Sequence, residues 1–388
     1  MAQQTATEPK RLTAREISEF AGNSNTWLTI LMPTDAPGRK TVSMRFKKAL
    51  ESAEEKLRQR QLTTDAIRRI LDPLDDVAGR LDDEAQERTL ALFRSPEELR
   101  YFWLSEPCSE TVTAAANPYI RPFLKKIHGE MVFYILALSQ KDVRLLRCTE
   151  HSSEEIDVKD YFTPNINDFL GMSKPDHVLD NRITAGPSMG AGTGVMFGTN
   201  TEAEHKDEYL HQFFKQVNDG VVGLLRGQEK TALVLCGVEE ALAIYRSLNT
   251  WSNTPDEGVR GAPNGLKGGE MHARALEVLE RAKEKELEDT LAQHDRQAGE
   301  VAQAGVDDLV RFAYEGRILD LFIAEQAHAP GFFDEGQFRA RAHQTERPAD
   351  EDLINAAAVQ TIVHAGRVHV LPQARVPGNR PMACIARY

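Results

Sequence analysis

Gly186-Pro187-Ser188-Met189-Gly190-Ala191-Gly192-Thr193-Gly194 is a Gly-rich stretch without a cation, and the segments on either side of it decide the fold. Before it, Met131 to Ser139 (MVFYILALS) and Val143 to Cys148 (VRLLRC) flank the polar turn Gln140-Lys141-Asp142, which predicts a β-hairpin. Ile156 and Val158 predict a third strand, extending the hairpin into a meander. After it, Tyr209/Leu210, Phe213/Phe214, Val217, Val221 and Leu224/Leu225 form one apolar stripe on a helix from Glu204 to Arg226. Gly227 ends that helix. Leu233 to Cys236 (LVLC) is apolar throughout, as in a buried parallel strand, and a short helix through Tyr245 completes an α/β unit.

Upstream, residues 1–11 read as a disordered tail and Trp27 to Met32 (WLTILM) as a buried strand stopped by Pro33. Val42, Phe46, Ala49/Leu50, Ala53 and Leu57 then recur at helical spacing. The other faces of that helix carry Arg45, Lys47, Lys48, Lys56, Arg58 and Arg60, with Arg39 and Lys40 just before it. A second helix is expected around Thr64 to Ala78, and short strands lie between Leu90 and Leu104. This is an α+β pattern closing near Pro118 to Lys126. Downstream, residues 249–269 are dense in Pro, Gly and Asn, as in a domain junction. A long charged helix from Glu270 to about Ala298 follows. Val306 to Tyr314 and Asp352 to His364 read as helices. Ile318 to Ala324, Val368 to Leu371 and Met382 to Ala386 read as strands, so a third segment is α/β. The expected domains are 1–126, 127–248 and 270–388, with 249–269 as junction.

The net charge of −12 argues against non-specific coating of nucleic acid. Its distribution is uneven. Residues 1–126 hold 20 basic and 19 acidic side chains, a net of +1, whereas 127–245 have a net of −8 and 246–388 a net of −5. RNA contact by charge is therefore expected in the first third, on Arg39, Lys40, Arg45, Lys47 and Lys48. Glu51, Glu54 and Glu55 offset that face at helical spacing, and a simple solvated surface is the competing reading. The longest apolar runs are too short to cross a bilayer. The opening MAQQTATEPKR has no apolar stretch, so no signal peptide is expected and a cytoplasmic protein is. Cys108, Cys148, Cys236 and Cys384 are scattered without ligand spacing and read as reduced thiols.

Taken together, FYILALSQKDVRLLRCTEHSSEEIDV, the Gly stretch, LVLCGVEEALAIYR, EGRILDLFIAE and DLINAAAVQTIVHAGRVHVLP resemble a bacterial family related to archaeo-eukaryotic peptide-release factors and Pelota, the third such bacterial family. The resemblance runs from about Thr13 to Tyr388. It implies an N-terminal α+β domain facing the decoding centre, a central ribonuclease H-like α/β domain, and a C-terminal α/β sandwich like the kink-turn-binding ribosomal proteins. It further implies the ribosome, at the A site, as partner, with a translational GTPase as a further candidate. No membrane, DNA or cofactor is expected.

In release factors the Gly-Gly-Gln loop lies between a strand and the long helix of the central domain. The equivalent stretch, Ile183 to Ala203, contains Gly190, Gly192, Thr193 and Gly194 but no Gln. Arg226-Gly227-Gln228 sits at the wrong end of the helix and reads as a cap. Lys267-Gly268-Gly269-Glu270 has Glu for Gln and lies at the junction, where release factors carry a similar Gly-Gly-Glu. Glycines would let backbone amides approach a reacting ester and stabilise its oxyanion. Only Thr193 or Ser188 remains to orient water, and no Lys or Arg offsets the phosphates of an RNA cavity. The expectation is a ribosome-associated factor acting in rescue or hibernation without release catalysis. A peptidyl-tRNA hydrolase working through Gly190–Gly194 is the enzymatic alternative, and an RNA- or protein-binding module away from the ribosome is the third. The Gly stretch matches neither a P-loop nor a dinucleotide fingerprint. His205/His211 and His364/His369 are read as lacking the spacing or carboxylates of a metal site. Asp157, Asp160 and Asp168 do not form the mid-strand cluster that nuclease chemistry requires.

Overall fold

The computed structural model describes residues 12–24, 26–34, 40–84, 89–104, 107–126, 131–139, 141–172, 200–266, 268–296, 301 and 304–387. The expected tail lies outside them. The architecture is mixed α/β with several sheets, and the chain forms two compact units, residues 1–129 with 289–388 and residues 130–288.

The first unit opens with α1 (Ala14–Phe20) on a capping box. The Glu16 N–H donates to Thr13 Oγ1 at 3.2 Å, and the Thr13 N–H donates to the Glu16 carboxylate at 3.0 Å. β1 (Trp27–Pro33) precedes α2 (Lys40–Gln59) and α3 (Thr64–Glu84). β1 pairs antiparallel with β2 (Thr89–Arg94) and with β4 (Thr111–Ala115), while β3 (Leu99–Leu104) extends the sheet beyond β2. Leu28, Ile30 and Met32 share a core with Val42 and Phe46 of α2 and Ile70 and Leu74 of α3. Trp27 and Leu31 belong to a second core with Phe20, Phe93 and Phe123. A strand covered on both faces has no polar side to alternate, which is why WLTILM is apolar at every position but Thr29, whose buried hydroxyl accepts from the Tyr119 N–H at 3.0 Å.

The second unit is a five-stranded sheet in the order β7–β6–β5–β8–β9. β5 (Phe133–Leu138) and β6 (Val143–Cys148) form the expected hairpin, and β7 (Ser153–Ile156) adds antiparallel to β6. After α4 (Ile166–Met172) and α5 (Asn200–Leu224), β8 (Ala232–Gly237) pairs parallel with β5 in the register Phe133↔Ala232 to Leu138↔Gly237. α6 (Glu239–Leu248) follows. β9 (Val259–Arg260) then joins β8, so the Pro/Gly-dense stretch read as a junction contributes a strand to this sheet. Trp251 ties it down further by donating its indole N–H to the Thr231 carbonyl at 2.9 Å. Alternation along β5 sends Tyr134, Leu136 and Leu138 into a core with α5 and α6. Phe133, Ile135 and Ala137 share the opposite core with Met271, Ala275 and Val278 of α7 (Gly268–Arg296). Cys148 and Cys236 lie buried in that core, and burial pushes their thiols up to about 12 and about 11. Thiols so raised are inert at neutral pH.

The last quarter of the chain completes the first unit with α8 (Val306–Tyr314), β10 (Ile318–Ala324), a small sheet of β11 (Pro330–Asp334), β12 (Arg339–Ala342) and β13 (Glu351–Asp352), then α9 (Leu353–Val363), β14 (Arg367–Leu371) and β15 (Met382–Ala386). β10 is central, parallel to β14 and antiparallel to β15. α9 is buried at every position from Leu353 to Val359, as expected of a helix sealed between layers. Its Leu353, Ala357 and Ala358 join Trp27, Leu31 and Phe93 in one core, so segments from both ends of the chain fold together.

A polar seam fixes that union. The Ile120 N–H donates to Asn355 Oδ1 at 2.9 Å, and Asn355 Nδ2 donates back to the Pro118 carbonyl at 2.9 Å. Asn117 Nδ2 donates to the Tyr314 hydroxyl at 2.8 Å, and Asn117 Oδ1 accepts from Gln360 Nε2 at 2.8 Å. Beside it lies Glu351, also buried, with Oε2 3.4 Å from both Asn117 nitrogens. Burial raises its carboxyl above the ordinary 4.5, against the opposing pull of Arg60 and of hydrogen bonds from Asn117 and Ala116. A raised carboxyl favours the folded state fully below the ordinary value, and that contribution is lost as pH rises through the folded value. Melting curves from pH 4 to 9 are therefore expected to show Glu351→Gln gaining stability over wild type as pH rises, with the two chains closest at pH 4. A constant gap would mean that Glu351 does not titrate differently on folding.

Candidate functional site

The stretch that carries the glycines is bracketed by two packed elements. The described chain stops at Met172, the end of α4, and resumes at the start of α5. Phe169 of α4 packs on Phe213 of α5 with ring centroids 5.7 Å apart. Leu210, Phe213, Phe214, Val217, Val221 and Leu225 are buried, so the apolar stripe read from the sequence is the face α5 presents to the sheet. Gly220 allows a close approach there. A Cβ at this position would meet the Tyr161 carbonyl oxygen and a Phe162 ring carbon at 2.7 Å each. Gly190, Gly192, Thr193 and Gly194, like Ser188, lie outside the described residues.

Both look-alike motifs are structural. Gly227 has φ 84°, the left-handed conformation that ends a helix, and its N–H donates to the Glu229 carboxylate at 2.9 Å. Gln228 accepts from the Tyr134 hydroxyl at 3.3 Å, at the base of the sheet. Gly268 and Gly269 begin α7, and Glu270 pairs with Arg274 one turn on, at 2.6 Å.

The basic residues of the first third divide. Arg45 is engaged, donating to Glu110 at 2.8 Å and to the Pro33 carbonyl at 2.9 Å, and thus braces α2 on the sheet. Lys47 and Lys48 are exposed, and Met44, 70 % exposed, stands one turn before them. Lys40 starts α2, while its side chain and all of Arg39 lie outside the described residues.

One sequence expectation is corrected. His369 does have a carboxylate partner: its Nε2 lies 2.8 Å from Oδ1 of Asp320, which is buried on β10. Arg367 completes the group with bonds of 2.7 and 3.0 Å to the same carboxylate. Local spacing does not encode the group, because β10–β14 register sets Asp320 opposite Arg367, 47 residues on, and brings it within reach of His369, 49 residues on. Burial alone would raise the Asp320 carboxyl, but the hydrogen bonds from His369 and Arg367 outweigh it and hold it below its ordinary value. Asp320 is consequently a buried anion with its charge met by neighbours. Asp157 accepts from the Lys159 N–H in a turn, and Asp160 and Asp168 are exposed. Among the described residues no three His, Cys, Asp or Glu side chains are grouped to hold a metal ion, and no helix is long and apolar enough to cross a membrane.

The family signal covers most of the second unit and runs on into the first. Residues 132–317, from β5 through α8, match Bacterial archaeo-eukaryotic release factor family 3. The match is a likeness to that family over a little under half of the chain. Solved structures similar to it include an archaeal translation termination factor, aRF1, at 12 % identity over 97 % of this chain and 99 % of that one, with a TM-score of 0.23. Dom34 of S. cerevisiae, a translation termination-like factor, is similar at 12 % identity over 75 % and 74 %, with a TM-score of 0.37. A ribosome-bound archaeal Pelota is similar at 11 % identity over 100 % and 99 %, with a TM-score of 0.37. No curated protein sequence matches the chain.

Proposed function

We propose that this protein is a translation factor-like, ribosome-associated protein that occupies the A site with a tRNA-like outline, in ribosome rescue or hibernation, without catalysing peptide release. The observation that carries the reading is the family match over residues 132–317. The absence of Gln from 183–203 carries the second half of it. Release requires a side chain that positions water against the ester while backbone amides hold the oxyanion, and a glycine loop alone supplies only the second. In this reading residues 1–126 face the decoding centre, 127–248 form the ribonuclease H-like body that carries the Gly stretch, and 270–388 form the C-terminal domain. Lys47 and Lys48, with Arg39, Lys40 and Arg45 nearby in sequence, are the RNA-contacting set. The protein is cytoplasmic, and a translational GTPase is its candidate delivery partner.

The experiment adds purified protein to ribosomes carrying labelled peptidyl-tRNA. Peptide release is expected to stay at the level of buffer alone. Release above buffer that is abolished by Gly192→Ala and Thr193→Ala would instead establish a peptidyl-tRNA hydrolase acting through Gly190–Gly194.

A further inference from the structure

The tip of the β11–β12 hairpin carries an aromatic ring and a carboxylate on one turn. Asp334 and Arg339 are the last paired residues, and Glu335-Gly336-Gln337-Phe338 joins them, pinned by the Gln337 N–H donating to Asp334 Oδ1 at 3.0 Å. Phe338 sits at φ 50°, in the left-handed region that a bulky side chain rarely adopts, and it remains 45 % exposed. Glycine would take this backbone without penalty, and burial of the ring does not offset the strain. What the conformation achieves is to stand the Phe338 ring at 82° to Phe333, with centroids 5.2 Å apart. Phe333 in turn lies flat on Tyr314, at 3.7 Å and 2°, and the Tyr314 hydroxyl is held by Asn117. Two aromatic planes therefore meet as perpendicular walls on a base fixed by the buried seam.

These rings line a cavity of about 400 Å³. The register sets Phe333 opposite Ala340, so Arg339 and Arg341 belong to the other face of the hairpin. Among the described residues no Lys or Arg lines the cavity, and its carboxylate is Glu335, exposed and paired with no described cation. The field at the Tyr314 end is negative as well. Burial, then the carboxylates of Glu351 and Glu335, hold the Tyr314 phenol above its usual value against the opposing effects of Asn117 and Arg60. The other polar groups of the lining are largely engaged within the protein. Asn117 Oδ1 accepts from Gln360 Nε2, Ser24 Oγ accepts from the Thr26 N–H at 3.3 Å, and His364 Nδ1 donates to the Gln360 carbonyl at 2.9 Å.

Perpendicular aromatic walls beside one free carboxylate suit a cation, because the ring faces attract positive charge. They suit one kind of cation in particular. A primary ammonium would bring three N–H donors to a lining whose acceptors are mostly taken, and unmet donors are costly. A fully alkylated ammonium spreads its charge over its methyl groups and needs no acceptor. We propose that the cavity walled by Phe338, Phe333 and Tyr314 binds a quaternary ammonium group, with the Glu335 carboxylate as its counter-charge. The strain at Phe338 is what presents the second wall. A-site docking does not assign this cavity, and the test below contains no ribosome, so the two readings fail separately.

The experiment titrates choline into the full-length protein by isothermal calorimetry at mildly alkaline pH, beside dimethylbutanol, the neutral carbon isostere of choline. Choline is expected to bind about tenfold more tightly than the isostere, since shape is shared and only the charge differs. Phe338→Gly is the informative variant, because it removes the ring and relieves the backbone. Its melting temperature is expected to hold while choline affinity falls about tenfold. Phe338→Trp is expected to retain binding, and Glu335→Gln to weaken it by an amount that shrinks as salt rises. A Gly-Ser peptide bearing one trimethyl-lysine, with its unmethylated twin, separates the sources. Tighter binding of the methylated peptide than of choline assigns the group to a modified side chain of a protein partner, and the reverse order assigns it to a small molecule; both support the proposal. Binding of neither choline nor the methylated peptide, equal affinity for choline and the isostere, or an unchanged affinity in Phe338→Gly would overturn it.

Discussion

Arg121→Ala is expected to destabilise the protein by about 3–5 kcal/mol in chemical denaturation, the range for removing one partner of a buried ion pair. Arg121 belongs to the N-terminal part of the chain and is only 12 % exposed, yet its bonds to Glu325, Ala327 and Asp352 reach residues more than 200 positions away. Its guanidinium donates to the Ala327 carbonyl at 2.7 Å, the Glu325 carbonyl at 3.0 Å and the Asp352 carboxylate at 3.2 Å. Asp352 is 7 % exposed and is simultaneously the N-cap of α9, accepting from the Ile354 N–H at 3.1 Å. Truncation would strand a buried carboxylate and two carbonyls at once. Arg121→Lys is expected to recover little, since an ammonium cannot reproduce a planar fork to three acceptors. A loss below about 1 kcal/mol would mean that water replaces the guanidinium freely and that the seam contributes little to the union of the two segments.

Gly331→Ala is expected to cost about 3 kcal/mol, at the upper end of what overpacking does, because its obstacles are backbone. A Cβ on Gly331 would run into the Arg341 carbonyl oxygen and come 2.7 Å from Leu353 Cδ1 and 3.0 Å from Ala342 Cα. Only the leucine methyl can turn aside. The β11–β12 pair must separate or shift, and with it the Phe333 ring that rests on Tyr314. Thermal melting with near-ultraviolet circular dichroism checks this: a lowered melting temperature together with a weakened aromatic signal is expected. An unchanged melting temperature would mean that the hairpin adjusts without cost and is not held in register by the close contact at Gly331.

These two sites also mark where the sequence stopped being legible. Helices with one wet face are legible, since Val42 to Leu57 and Leu210 to Leu225 repeat at 3.6 residues and the folded chain buries Val42, Phe46, Ala49, Ala53 and Leu57 and Leu210, Phe213, Phe214, Val217, Val221 and Leu225, while Tyr209 is exposed. Strands buried on both faces are equally plain, β5 and β8 as apolar runs and β1 as one broken only by Thr29. β11 and β12 were not, because a Pro, two glycines and the alternation Arg339-Ala340-Arg341 leave Ala340 as the one buried side chain on β12. β4 was missed for a similar reason: TVTAA is half-buried and its pairing with β1 is set 80 residues earlier. α1 did carry a signal, the capping box Thr13-Ala14-Arg15-Glu16, which went unused beside the expected tail. The polar groups of consequence were invisible for a different reason. Asn117 meets Glu351, Arg121 meets Asp352 and Asp320 meets His369 only through tertiary register, and no local spacing encodes such a pair. Arg45 had the appearance of a free cation until its bond to Glu110, 65 residues on, came into view. The Gly stretch was legible as composition, and its functional meaning rested on what it lacks.

The central claim is association with the ribosome at the site where tRNA enters. Its most direct test is sedimentation of the purified full-length protein with 70S ribosomes through a sucrose cushion at moderate salt, with and without tRNA occupying the A site. The account predicts that the protein pellets with vacant ribosomes and is displaced by A-site tRNA, and that Lys47→Glu with Lys48→Glu weakens pelleting about tenfold by reversing two exposed cations of α2. A protein that stays in the supernatant with vacant ribosomes, or pellets equally whether or not the A site is filled, would contradict it.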